Sequence, residues 1–419
     1  MESYAVAIIG AGPAGLFCAI HAAAPGSPVL VFEKKPSPGT KLRITGSGQC
    51  NLTHAGDMPA FLSHFGGHGA FLKPALRAFT NQALIQFFTE RGCEIETEPM
   101  GKVFPVSRRA SDILDILLRE CYERHVTVQC GETVETVTRD PAGFRICTNR
   151  SEYLAARLVI TTGGASYPVT GSTGDGYRFA ARLGHTIVPT GPALTPVIIA
   201  NHPFADLAGV SFKDMRFSVW RDGRKVLDAR GDVLITHEGL SGPGILDCSR
   251  ALRKGDTIRC SFVSGMMTTE EFGRDLAGRI SRNGKKMVRS VLSAYDIPER
   301  LQRSLLVIAG VPEDLTCAHL SAPLRSRLIA TMTNLPLTIA RLGNFSVAMV
   351  TRGGVALPEV NSKTMESRCV PGLFFAGEVL DIDGDTGGYN LQAAFSTGRC
   401  AGVAIRSQLD PFRGDLVHY

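Results

Sequence analysis

The first residues whose types and spacing could do chemistry are Gly10-Ala11-Gly12-Pro13-Ala14-Gly15. At this spacing the first glycine makes a tight turn, the second lets backbone approach a pyrophosphate, and the third lets a helix pack closely on a strand. Glu33 follows at the end of the next apolar run, where a carboxylate can accept hydrogen bonds from an adenosine ribose. Its charge would repel the extra phosphate of NADP, so FAD or NAD is favoured.

The surrounding elements supply the context this turn requires. An apolar run from Ala5 to Ile9 precedes it, a small-residue helix runs to about Ala24, and a second strand spans Val29 to Phe32. Phosphate would sit at the helix N-terminus, where unpaired N–H groups and the dipole favour an anion. No second GxGxxG occurs, which points to one permanently bound dinucleotide.

Further chemistry-bearing stretches lie far along the chain. Residues 36–53 are polar and glycine-rich and are expected to form a binding loop, with Lys41 and Arg43 offsetting phosphates and Ser47, Gly48 and Asn51 supplying donors. Cys50 within it is a weak candidate for work near a reactive ring. Leu158 to Thr161 opens into Thr162-Gly163-Gly164, and Gly171 to Gly176 leads into a helix from Tyr177 to Leu183. Near the C-terminus an apolar strand ends in Gly377-Glu378, and the stretch Asp381 to Gln392 turns through Gly387-Gly388 into a small-residue helix. Glu378 could hold ribityl hydroxyls, while N–H groups at Asn390 to Gln392 would favour negative charge on a reduced flavin. His237 and Tyr389 join Cys50 as candidate proton donors.

Composition sets the limits. With 419 residues, 44% hydrophobic and 20% charged, the chain is long enough for two or three domains and ordinary for a globular protein. No apolar run reaches the roughly 18 residues that span a bilayer, and a cytoplasmic location is expected. The 11 cysteines include no CxxC pair, which argues against a flavin disulfide reductase and a zinc knuckle. His54, His64 and His68 lack metal-ligand spacing and are expected to be solvated, in a surface loop over residues 56–70; no metal is expected. Helices are expected over Asn81 to Arg91 and over Ser111 to Arg124, the latter capped by Ser111-Asp112. Four short strands between residues 126 and 159 suggest a small antiparallel layer.

From Pro189 the texture changes to alternating strands up to Ser264 and then to helical spacing from Thr269 to Thr333. The expected organisation is therefore residues 1–190 and 341–419 for the nucleotide domain, with an all-β part over 191–265 and a helical part over 266–340 between them. The insert, 191–340, carries 20 Lys+Arg against 15 Asp+Glu, most of the chain's net +6. Arg274, Arg279, Arg282, Lys285, Lys286 and Arg289 form its densest group. A solvated helix face or a landing surface for an anionic substrate or RNA both suit them.

GAGPAGL with Glu33, TKLRITGSGQCNLT, TTGGASYPVTGSTGDGY, THEGLSGPGIL and GLFFAGEVLDIDGDTGGYNLQAAFSTG together resemble the YhiN/BaiN-type flavoprotein family, which includes aminoacetone oxidase-like members. The resemblance implies an α/β fold: a glutathione-reductase-like Rossmann domain with non-covalent FAD, interrupted by an insert containing a β-barrel and a helical subdomain. It places FAD contacts at Gly10, Gly12, Ala14, Gly15, Glu33, Lys34, Lys41, Ser47, Gly48, Val134, Thr162, Gly163, Glu378, Asn390 and Leu391. Gln49 departs from the Arg often found there. The family is associated with reduction of conjugated C=C bonds in steroid-like acids, with amine oxidation, and with reduction of a uridine in ribosomal RNA.

Three readings follow. In the first, NAD(P)H visits transiently and hydride passes through the flavin to a C=C or C=N bond of a small molecule, with the insert closing over the ring. The second is an amine oxidase using O₂. An RNA-binding flavoprotein is the third. The oligomeric state is not coded in any motif.

Overall fold

The computed structural model describes residues 1–263 and 267–409. Its central strand, Glu2–Ile9, is exposed at its start and buried over its last four residues. It runs parallel to Val29–Glu33 on one side and to Glu152–Ile160 on the other. Strands covered on both faces read as continuous apolar runs, as Val6 to Ile9 and Val29 to Phe32 do.

Glu152–Ile160 is the hub of the sheet. Its first half pairs antiparallel with Gly143–Thr148, which pairs with Val134–Asp140, and its last three residues pair parallel with Leu373–Phe375. A strand from the far end of the chain thus joins the same sheet, with Glu152–Ile160 between it and the first strand. Thr127–Cys130 does not join the expected antiparallel layer: it extends the parallel edge beside Val29–Glu33, so all seven strands form one sheet.

Two helices are pressed together over the sheet because both carry small residues. A Cβ on Gly398 of the C-terminal helix, Tyr389–Leu409, would lie 2.4 Å from Ala14 O, and one on Gly402 would lie 2.5 Å from Cys18 O. Beside this seam Phe17 of the helix Pro13–Ala22 meets Phe79, Phe87 and Phe395 with ring centroids 4.9 to 5.2 Å apart.

Several expected loops are helical. Residues 36–53 contain a short helix, Thr40–Ile44, and a 3₁₀ turn, Thr45–Gly48. Residues 56–70 are not a surface loop: Met58–Ser63 and Gly69–Ala78 are helices, with Phe61, Phe65, Leu72 and Leu76 buried. Asp57 caps the first by accepting from Ala60 N–H at 2.9 Å. The helix expected at Ser111 begins at Ala110 after Arg109, and Asp112 sits in its first turn instead of capping it. None of the described helices is long and apolar enough to cross a membrane.

The chain divides into two compact units, 1–193 with 345–419, and 194–344. Its first segment runs three residues past the expected 190, where Ile187–Ala193 pairs with Val350–Val355, and its second begins four residues after the expected 341. In the second unit six strands close a barrel, in the order Val197–Ile199, Gly239–Ser241, Arg224–Ile235, Ser211–Arg221, Thr257–Cys260 and Leu335–Leu342. The last of these follows the helices Thr269–Arg282, Val288–Leu292, Glu299–Ala309 and Ala322–Asn334, so the barrel is not confined to 191–265. The expected boundary at 265/266 lies outside the described residues.

Candidate functional site

The glycine turn divides its work between its three glycines. Gly10 has φ +108°, and a Cβ there would lie 2.6 Å from Thr161 O on the neighbouring strand. A Cβ on Gly15 would lie 1.9 Å from Gly10 O, so this residue lets the helix rest on the turn. At Gly12 a Cβ would meet nothing within 4 Å, and this open side faces a cavity. Pro13 follows at the first helical position, where a missing N–H costs nothing, and the remaining first-turn N–H groups are unpaired within the helix.

Glu33 braces this turn. Its Oε2 accepts from Ala11 N–H at 3.1 Å and its Oε1 from Lys35 N–H at 2.8 Å. Burial pushes the carboxyl above its ordinary pKa, against the pull of those two bonds. Each oxygen keeps a lone pair for a further donor, such as a ribose hydroxyl.

The cavity encloses about 1320 Å³ of empty space, part of it open to solvent. Gly10, Gly12, Ala14, Glu33, Lys34, Lys41, Val134, Thr162, Gly163, Glu378, Asn390 and Leu391 line it. Gly15, Ser47 and Gly48 do not; Ser47 is exposed on the 3₁₀ turn, and Thr45 takes the place on the wall expected of that segment.

The lysines are not free cations. Lys34 Nζ donates to Asp175 Oδ2 at 2.6 Å and to Thr173 Oγ1 at 2.5 Å, and Lys41 Nζ donates to Glu378 Oε2 at 2.7 Å. Arg43 is exposed and off the wall. Anion binding therefore falls to backbone N–H groups more than to the Lys41 and Arg43 charges expected for it. Burial raises the Asp175 carboxyl, but Lys34 and Thr173 outweigh it and leave it below its ordinary value.

Opposite the glycine turn, the C-terminal helix presents its own first turn. Gly388, at φ +97°, lies so close to the chain that a Cβ would be 2.5 Å from Thr53 O. Asn390 Oδ1 accepts from Gly384 N–H at 2.8 Å, and Nδ2 donates to Gly384 O and Asp385 O. The side chain is thus spent on bracing the loop. Glu378 is fixed likewise, its Oε1 accepting from Thr351 N–H at 2.8 Å.

None of the three proton-donor candidates lines the cavity. Cys50 is fully buried in the core, and burial pushes its thiol up to about 12. Tyr389 is 3% exposed and packs on His64, His54 and Phe61 at 4.1, 5.1 and 4.7 Å. His237 is exposed in the second unit. The histidines expected to be solvated are structural instead: His54 stacks on Tyr389, and His64 Nδ1 lies 3.0 Å from Asp385 Oδ2.

The sequence reading missed Glu132, Thr161, Ser172, Phe179, Met349, Val350 and Ile382 on the wall. Thr161 had a signal, since it immediately precedes the Thr162-Gly163 pair. Glu132 had none: it is fully buried, and its Oε1 accepts from Thr148 Oγ1 at 2.6 Å.

The wall fits a dinucleotide. An open glycine cradle and the Glu33 carboxylate stand at one end, and a second helix N-terminus stands at the other. A family model described as the HI0933-like protein Rossmann domain matches residues 4–404. A ribosomal RNA dihydrouridine synthase of Escherichia coli K12 is 32% identical over 402 residues, covering 95% of this chain and 96% of that protein. A 3-dehydro-bile acid delta(4,6)-reductase of Clostridium scindens is 32% identical over 408 residues, covering 95% and 98%. Among solved structures, a variant of E. coli quinol fumarate reductase FrdA aligns with TM-score 0.53 at 15% identity, covering 97% of this chain and 71% of that one, a likeness of fold alone. The chain belongs to the HI0933-like family of Rossmann FAD-binding flavoproteins.

Proposed function

We propose that this member of the HI0933-like family is an FAD-dependent reductase that takes hydride from NADH or NADPH and saturates a C=C bond conjugated to a carbonyl. The observation that carries the reading is a single cavity whose wall joins the glycine turn, Glu33, Glu378 and the first turn of the C-terminal helix. Two relatives of equal identity support it by name. One is named for making dihydrouridine and the other for reducing a 3-dehydro bile acid at delta(4,6), and each name describes a ring double bond being reduced.

FAD, when bound, supplies a hydride at N5 of its ring. The chain's part is to hold and to polarise. Backbone N–H groups at the start of Tyr389–Leu409, beside Asn390 and Leu391, would favour negative charge on a bound, reduced flavin. Glu33 and the backbone N–H groups of the glycine turn would hold the rest of the dinucleotide, beside the paired Lys34 and Lys41 on the wall. Cys50 and Tyr389 are buried away from the wall and His237 does not line it, so the proton for the second carbon would come from water.

RNA is the second reading. The name of the E. coli relative and the positive balance of 191–340 favour it. One experiment addresses both. The flavin absorption of the purified protein is followed anaerobically with NADH or NADPH, and then with a conjugated enone or an unmodified ribosomal RNA. Bleaching by a nicotinamide and recovery of colour with the enone is the expected result; recovery only with RNA moves the same chemistry to the second reading. If neither nicotinamide bleaches the protein while an amine alone does, the reductase proposal fails in favour of an amine oxidase.

A further inference from the structure

Beyond the C-terminal end of Asp175–Arg182, the helix whose first residue lines the cavity, three residues distant in sequence meet. One ligand-capable atom from each of His185, Glu359 and Cys369 lies within 4.8 Å of the others. His185 is 5% exposed. Its Nε2 lies 2.8 Å from Ser367 Oγ, and its Nδ1 is buried without a hydrogen-bond partner. An unpaired buried polar atom of this kind costs ~1–3 kcal/mol unless something is there to use it.

The three side chains are tied to one another through the backbone. Ser367 Oγ, which holds the imidazole, also accepts from Cys369 N–H at 3.0 Å and Val370 N–H at 2.8 Å, so the segment bearing the thiol wraps round the same hydroxyl. Glu359 Oε2 accepts from Thr186 N–H at 2.8 Å, beside His185, and Glu359 O accepts from Arg368 N–H at 2.8 Å, beside Cys369. These bonds fix where the imidazole, the carboxylate and the thiol sit before any ion arrives.

We propose that His185, Glu359 and Cys369 form a Zn²⁺ site with its fourth position open to solvent. A thiolate, an imidazole and a carboxylate together select zinc over the oxygen-bound Mg²⁺ and Ca²⁺. Metal bonds of ~2.0–2.3 Å place tetrahedral ligands about 3.3–3.8 Å apart, so closing the site needs about 1 Å of movement. Cys369, which is exposed, can supply it and also gives the ion its way in. Binding displaces the thiol proton into solvent, with no change of oxidation state. Because the ligands are 174 and 10 residues apart, no CxxC-type spacing marks them.

The test uses the full FAD-loaded chain, stripped with a chelator and titrated with Zn²⁺ against a chromophoric competitor, and separately with Co²⁺. One Zn²⁺ per chain and a thiolate-to-cobalt charge-transfer band are expected. Cys369→Ser removes the band, and both it and Glu359→Gln weaken zinc at least about tenfold, while metal-free melting and flavin content stay as in the parent. Absence of stoichiometric zinc overturns the proposal. So does a Cys369→Ser protein that keeps both the band and the affinity.

Discussion

The two glycine turns that face each other across the cavity are built on different supports. At the N-terminal turn the atoms that exclude a Cβ at Gly10 and Gly15 are mainly backbone, chiefly Thr161 O and Gly10 O, fixed by the parallel sheet. At the C-terminal turn a Cβ on Gly388 would also meet backbone, Thr53 O at 2.5 Å, but one on Gly384 would meet Phe65 Cε1 at 2.7 Å and one on Gly387 Tyr389 Cε2 at 3.0 Å, both side-chain atoms. A turn seated on hydrogen-bonded strands cannot yield, whereas one seated on aromatic rings can. The N-terminal turn is thus set by the sheet, and the C-terminal turn partly by the aromatic side chains of Phe65 and Tyr389.

Substitution at matched positions is the strongest way to break that contrast. Gly15→Ala, whose Cβ would fall 1.9 Å from a carbonyl oxygen, should cost more than about 3 kcal/mol and leave a colourless protein. Gly384→Ala should cost about 1–2 kcal/mol and remain yellow, because Phe65 can turn aside. Urea unfolding with flavin absorbance checks both. Equal losses would show that the two supports are equally rigid.

Gly12→Ala sharpens the point on ligand instead of fold. With nothing within 4 Å, the added methyl should change stability by under about 0.5 kcal/mol yet weaken FAD by about tenfold, as it occupies the pyrophosphate's approach. Fluorescence titration of the flavin-depleted protein reads the affinity. An unchanged value would mean the phosphates lie elsewhere.

The same contrast explains what the sequence could and could not disclose. Val6 to Ile9, the glycine turn and Glu33 were legible because parallel strands and a turn of this kind are written in contiguous residues. The supports of the other turn were not. Met58–Ser63 and Gly69–Ala78 lie in a stretch rich in Gly, His and Phe, and they are helical because Phe61, Phe65 and Leu72 are buried by tertiary packing. Thr40–Ile44 is too short for any periodicity to show. The barrel's closing strand, Leu335–Leu342, was hidden behind four helices, since pairing across such a distance leaves no local mark. On the wall, the paired roles of Lys34 and Lys41 depend on Asp175 and Glu378, which lie 141 and 337 residues away.

The smallest expected effect lies in the charges of the wall, and its sign follows from the two carboxyls at the adenosine end. Asp175 is held below its ordinary value near 3.8, so its pairing with Lys34 adds stability above that pH and loses it as pH falls through the lower folded value. Glu33 is held above its ordinary value, so its contribution is greatest in acid and is lost as pH rises through the raised value. Asp175→Asn removes only the first. Because the Lys34–Asp175 pair is partly exposed, the difference from the parent should be below about 1 kcal/mol at pH 6–7. It should shrink as pH falls below about 3.8 and vanish once pH passes the lower folded value, leaving the Glu33 trend in both proteins. Urea midpoints measured from pH 7 to pH 3 would show the curves converging. If the gap instead widens in acid, Lys34 and Asp175 do not hold each other across the cavity wall.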